Sequence, residues 1–292
     1  MKFGAFSMNS DEGLDPLELA REAEGLGIES LFLPDHSHVP VTRRVTFGAG
    51  DENVGLATRE EFQQTASDMP REYFRNRDQL LTLASMAAVT STLRLGTGIC
   101  LVVQRDPILL AKEVATLDQL SGGRLLFGVG AGSPWNREEL RNHGTDPRTR
   151  MRLVVERMAA MQRIWTRDEA EYHGEFVRFA PLCSWPKPVQ RPRPHTLVGG
   201  DGPTVLDRVL AYGDGWMPGH HDDMGLFRAR IEELQERAAA SGRGRMEISV
   251  FLAHLDRLDD YAAVGVDRVV VMLPTGAERK VLADIADVAS HS

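Results

Sequence analysis

Residues 93–132 read LRLGTGICLVVQRDPILLAKEVATLDQLSGGRLLFGVGAG. Two short apolar runs, 92–103 and 124–130, stand on either side of a longer stretch, 107–120, in which apolar and polar residues recur with a helical period. Neighbouring parallel strands need a crossover of about a dozen residues, and a helix supplies it. This segment is therefore a strand–helix–strand unit. The same alternation runs outward in both directions. Before it come a strand at 2–8, a helix at 15–26, a strand at 29–33 and a helix at 77–90. After it come a helix at 148–165 and strands at 195–199, 215–219, 246–252 and 267–273, with helices at 203–212, 222–240, 256–263 and 276–288. Eight strands, each followed by a helix, predict an α/β chain closed into a (β/α)8 TIM barrel, a single domain over residues 1–292. A doubly wound open sheet is the alternative, but such sheets rarely need eight strict repeats.

Two stretches interrupt the pattern. One, at about 37–76, follows strand 2 and is polar and glycine-containing. In a barrel it lies on the C-terminal face, where active sites are built, and it reads as a lid or binding loop. The other, at about 168–194, precedes strand 5 and ends in WPKPVQRPRP, too rich in proline to be helical. It approaches from the opposite face and is expected to serve structure or assembly.

The bulk properties exclude several classes. A net charge of −8 argues against nucleic acid or an anionic membrane as a partner. No apolar run approaches the roughly 20 residues that span a bilayer. Two cysteines 83 positions apart, Cys100 and Cys183, form no metal-binding pair and no disulfide framework, so a cytoplasmic location is expected. A small-molecule substrate is the expected partner, and a homodimer is possible.

Strand 2 ends in LFLPDHSHVP (31–40), placing Asp35, His36 and His38 together. The pattern suits either a metal or proton transfer beside an organic cofactor. Zinc needs about four ligands, and the later strand ends offer only His254. His195 sits at the wrong end of its strand, and the run Gly219–Asp223 reads as a loop entering a helix. No metal site is expected. What the strand ends offer is glycine: Gly96-Thr97-Gly98, Gly128-Val129-Gly130-Ala131-Gly132 and Gly199-Gly200-Asp201-Gly202. Glycine lets the backbone approach a ligand closely. The last run leaves a strand and opens a helix with Pro203 suited to the first helical position, an arrangement that aims backbone N–H groups at a phosphate. No GxGxxG fingerprint of a nicotinamide dinucleotide is present. On residues alone, the chain reads as a cofactor-dependent barrel enzyme.

SLFLPDH (30–36), the segment 93–132, WNREEL (135–140) and LVGGDGPTVLDRVLAYGDGWMP (197–218) together resemble the luciferase-like family of flavin and deazaflavin oxidoreductases, in its coenzyme F420-dependent branch. The resemblance spans nearly the whole chain. It implies a hydride transfer between F420 and a small organic substrate, with His36 as general acid/base and Asp35 orienting it or bonding the ring. It places Thr97, Gly98 and Ile99 under the ring, with a cis peptide at Gly98–Ile99. Ala131, Gly132 and Asn136 are placed near the ring and ribityl chain, and Gly199, Gly200 and Gly202 at the phosphate. The family's sugar-phosphate branch carries a glutamate where this chain has Ser133, which puts that mechanism in doubt. Trp135 is expected to wall a less polar substrate, and Glu138 and Glu139 to be first-turn acids of a helix. Arg43, Arg44 and Arg105 are candidates for the acidic tail of F420. An FMN-dependent luciferase-like monooxygenase using O2 and a non-catalytic flavin-binding protein remain open alternatives.

Overall fold

The computed structural model describes residues 1–40, 70–133 and 136–291. Eight parallel staves close into a barrel. They are β1 (Lys2–Ser7), β2 (Ser30–Leu33), β3 (Arg94–Thr97) continued by β4 (Cys100–Leu101), β5 (Leu125–Gly130), β8 (His195–Gly199), β9 (Gly215–Met217), β10 (Glu247–Phe251) and β11 (Arg268–Leu273). Pairing of β1 with β11 and of β3 with β5 leaves no open edge. All eight barrel strands expected from the sequence form, within two residues at most ends except where the third stave breaks into β3 and β4.

The strands look uniformly apolar because their two faces bury different things. One face meets the surrounding helices through residues such as Phe3, Leu31, Leu95, Phe127, Val198 and Val269. The other fills the barrel with Phe6, Phe32, Leu126, Leu197, Met217 and Val270. Gly96 makes this inner filling possible. A Cβ there would meet Cδ1 of Phe32 at 2.2 Å, so Gly96→Ala is expected to cost about 1–3 kcal/mol by overpacking. The denaturation midpoint measures it, and an unchanged midpoint would show that Phe32 can rotate away.

Four of the helices begin at aspartates whose side chains cap them. Asp15, Asp78, Asp106 and Asp223 accept from the first-turn amides of Pro16–Gly25, Gln79–Ala87, Pro107–Leu120 and Met224–Ala240. The helix after β8 departs from expectation. It spans Val205–Tyr212 with Thr204 as its cap residue, so Pro203 lies outside it in the preceding turn rather than at its first position.

The insertion before the fifth stave holds a hairpin, β6 (Ala170–His173) with β7 (Arg178–Leu182). Glu156 of the helix Arg150–Thr166 accepts from three successive amides, Glu175 to Val177, and so fastens the hairpin turn. Beyond it, Gln190 bonds the carboxylate of Asp118 and the carbonyl of Leu125, where β5 begins. The insertion thus packs along that helix and returns to the start of β5, and none of its residues lines the cleft at the opposite strand ends. The expected loop after β2 falls largely outside the described residues. Among the described residues no helix is long and apolar enough to cross a membrane.

Candidate active site

At the C-terminal end of the barrel a cleft of about 620 Å³ is lined by residues from the connections that follow β2, β3, β5 and β8. It gathers Asp35, His36, Gly98, Ile99, Ala131, Gly132, Asn136, Gly199, Gly200 and Gly202, every predicted site residue except Thr97. Thr97 is buried in the sheet, and its hydroxyl donates to the Gly128 carbonyl at 2.7 Å. It belongs to the wall behind the cleft.

The peptide bond Gly98–Ile99 is cis. It breaks the third stave between β3 and β4 and sets Ile99 across the barrel mouth. Room for that side chain comes from Gly130 and Gly199. A Cβ at Gly130 would stand 1.7 Å from Ile99 Cδ1, and one at Gly199 2.9 Å from Cγ2. A Cβ at Gly128 would stand 2.0 Å from the Thr97 carbonyl oxygen. Much of the glycine at these strand ends therefore serves close packing of protein on protein. Gly200 and Gly202 differ, since a Cβ on either would meet nothing within 4 Å among the described residues. Gly200 also has φ +108°, a backbone conformation that side chains disfavour.

His36 and Asp35 do not act on each other as expected. Asp35 accepts from Leu101 N at 2.8 Å and from Arg105 Nη2 and Nε at 2.7 and 3.2 Å. It ties the end of β2 to the segment after the cis bond. Arg105 is thereby committed to Asp35 and is not a free cation for an acidic tail. Arg43, Arg44 and Trp135 lie outside the described residues.

His36 is bonded to Glu139. Its Oε2 lies 3.1 Å from His36 Nδ1, its Oε1 accepts from Ser37 N at 2.9 Å, and Asn136 Nδ2 lies 3.3 Å from Oε2. Glu139 is 0% exposed. Burial alone would push its carboxyl up, but the bonds from His36, Ser37 and Asn136 outweigh this and hold its pKa below the usual glutamate value. An ionised carboxylate only accepts, so Nδ1 of a neutral His36 carries the proton and the lone pair sits on Nε2. Glu139 does lie in the first turn of the short helix Arg137–Asn142, as expected, and from there its carboxylate also reaches the histidine. A signal existed: two adjacent glutamates stand six and seven residues beyond Gly132, the last glycine of the run at the C-terminal end of a barrel strand. His38 is a loop residue, bonded through Nδ1 to Ser37 Oγ and through Nε2 to Asn142.

Gly199–Thr204 lines the cleft together with Arg150 and Arg208, and Arg208 Nη1 donates to Thr204 Oγ1 at 2.8 Å. Asn136, also on the cleft wall, is fully buried, and among the described residues its Oδ1 has no hydrogen-bond partner. A buried polar atom without a partner is costly and marks a place prepared for one. His195 lies at the opposite end of the barrel, 3.5 Å from Glu247. His220 bonds Tyr261 and Asp222, and His221 bonds Asp201. Among the described residues no group of three or more histidine, cysteine or acidic side chains is arranged to hold a metal ion.

The model of the luciferase-like monooxygenase family matches residues 1–263. Rv0953c of Mycobacterium tuberculosis (strain ATCC 25618 / H37Rv), described as an uncharacterized protein, is 38% identical over 279 residues, covering 94% of this chain and 92% of that one. The FMNH(2)-dependent dimethylsulfone monooxygenase of Pseudomonas putida is 31% identical over 163 residues, 54% of this chain and 44% of its own. The 5,10-methylenetetrahydromethanopterin reductase of Archaeoglobus fulgidus is 28% identical over 176 residues, 60% and 50% of the two chains. Among solved structures, monooxygenase RslO1 from Streptomyces bottropensis shares the fold with a TM-score of 0.78 and 19% identity, covering 100% of both chains. An F420-dependent secondary alcohol dehydrogenase shares it with a TM-score of 0.73 and 16% identity, over 98% of this chain and 97% of the other.

Proposed function

This chain belongs to the luciferase-like monooxygenase family, and from that premise we propose that it is an F420-dependent oxidoreductase exchanging a hydride with a small organic substrate, His36 being the acid/base group and Glu139 the carboxylate that orients it. One observation carries the reading: a histidine on the cleft wall has Nδ1 fixed by a buried carboxylate. Family relatives include enzymes named for F420 and for FMNH2, so either cofactor lies within the family's range. The histidine–carboxylate pair favours hydride exchange with an alcohol or carbonyl. An alcohol that loses a hydride from carbon must also lose the proton on oxygen, and Nε2 of His36 is the base that takes it. In the reverse direction the same nitrogen returns the proton to the carbonyl oxygen.

The cleft fits a phosphorylated tricyclic cofactor. Ile99 on the cis bond, Ala131 and Gly132 would border the ring. The unpartnered Oδ1 of Asn136 would accept from a polar edge or a ribityl hydroxyl. Open backbone at Gly200 and Gly202, with Gly199, Arg150 and Arg208, would hold the phosphate. When bound, the deazaflavin supplies the hydride acceptor or donor.

Titrating the protein with F420 and with FMN under identical conditions tests the reading. F420 is expected to bind at least about tenfold more tightly, a difference near 1.4 kcal/mol. Tighter FMN binding with oxygen consumption in the presence of reduced FMN would replace the reading with a monooxygenase. Binding of neither would remove both.

A further inference from the structure

The loop Gly199–Thr204 has a brace behind it, built from residues that do not line the cleft. The Gly200 carbonyl accepts from Trp216 Nε1 at 2.8 Å, and the Gly202 carbonyl from Arg230 Nη2 at 2.7 Å. Asp201, the one acid on the loop, has Oδ1 2.8 Å from His221 Nε2, while Oδ2 accepts from Gly219 N at 3.1 Å. These donors form one packed unit. Trp216 is fully buried and the Arg230 guanidinium lies 5.6 Å from its ring centre. His221 stacks on Phe227 at 4.7 Å with 7° between the planes, and Phe227 meets Trp216 edge-on at 5.7 Å.

We propose that Trp216, His221 and Arg230 are positioning residues that shape this loop for a phosphate-bearing ligand. The proposal rests on the reading of the cleft given above. Two physical effects support it. First, in a trans peptide the N–H of the next residue points opposite to the carbonyl. Holding the Gly200 carbonyl on Trp216 therefore turns the Asp201 N–H away from Trp216, toward the cleft that Gly200 and Asp201 line. Second, a carboxylate on an anion-binding loop repels the anion. His221 and the Gly219 amide turn the Asp201 carboxylate outward, and Arg230 adds positive charge behind Gly202.

The test compares Trp216→Phe, which keeps the ring but removes the N–H donor, with Arg230→Met and Arg230→Lys. Dissociation constants for F420 and for inorganic phosphate are measured by calorimetry, and melting is followed with and without phosphate. Loss of one such bond is expected to weaken both ligands roughly fivefold. Trp216→Phe combined with Arg230→Met should weaken them at least about tenfold and abolish the phosphate-dependent rise in melting temperature. Arg230→Lys, which can still donate to Gly202, should restore most of the affinity. Variants that melt earlier yet bind both ligands like the parent would reduce the brace to a structural role and overturn the proposal. If the parent chain binds neither F420, FMN nor phosphate, the cleft reading fails and the proposal with it.

Discussion

Replacing Glu139 by glutamine is expected to slow turnover by about 10²–10⁴-fold, the range that removal of acid/base assistance spans, with cofactor affinity held within a factor of about two, since that change corresponds to only ~0.4 kcal/mol. The reason is tautomeric. The carboxylate accepts from His36 Nδ1 and from Ser37 N through separate oxygens. A glutamine has one accepting oxygen and one donating NH2. If the oxygen stays on Ser37, the NH2 faces His36, Nδ1 becomes the acceptor, and Nε2 carries the proton it should be free to receive. His36→Asn is expected to cost at least as much. The double variant should be little worse than either single one, because the two residues act as a unit. Turnover is measured as deazaflavin reduction across a panel of small alcohols, and the ¹⁵N shifts of His36 report the tautomer without any substrate. Glu139→Gln with unchanged turnover and an unchanged tautomer would remove the carboxylate from the chemistry. Because the Glu139 carboxyl is held below the usual glutamate value, the pair stays assembled at mildly acidic pH. Its contribution is lost only as the pH falls through that lowered pKa.

The second large effect concerns stability. Arg268 is 0% exposed at the N-terminal end of the barrel. Its guanidinium bonds both oxygens of Glu29, at 2.8 and 2.9 Å, together with Glu247 and Ser249. Arg268→Met fills similar volume but leaves two carboxylates facing each other in a poorly hydrated space. Removing one partner of a buried ion pair costs about 3–5 kcal/mol, and the denaturation midpoint should fall accordingly. The pH dependence has a definite sign. Burial raises the carboxyls of Glu29 and Glu247, but Arg268, together with His195 at Glu247, lowers both below their ordinary value. Their stabilising contribution is therefore complete above the ordinary glutamate pKa and fades as the pH falls through the lowered ones. The deficit of Arg268→Met should be greatest near neutrality and should shrink in acid, where protonation relieves the repulsion. A pH-independent deficit would assign the loss to packing alone.

The sequence announced neither charge partnership, though it held hints of both. Glu29, Glu247 and Arg268 stand at or just before the starts of three barrel strands. Closure of the sheet is what places those starts around one axis. His36 and Glu139 are separated by 103 positions, and no periodicity links them. The nearest acid in sequence, Asp35, looked the better partner for the histidine, yet Arg105, beyond the end of the following stave, takes it. The glycines show the opposite case. Their concentration at the strand ends was plain, but whether each admits a ligand or a neighbouring side chain depends on distances of an ångström or two.

By itself the sequence determined the number and order of the barrel strands and of the long helices between them, hence the closed barrel and the end of it where the chemistry lies. These follow from local causes: apolar period, capping aspartates, and glycine and proline in turns. Only the tertiary structure decided which charges meet across the barrel and which glycines leave open space. Hydrogen bonds and ion pairs act over a few ångströms, and only closure of a parallel barrel brings strand ends a hundred residues apart within that reach.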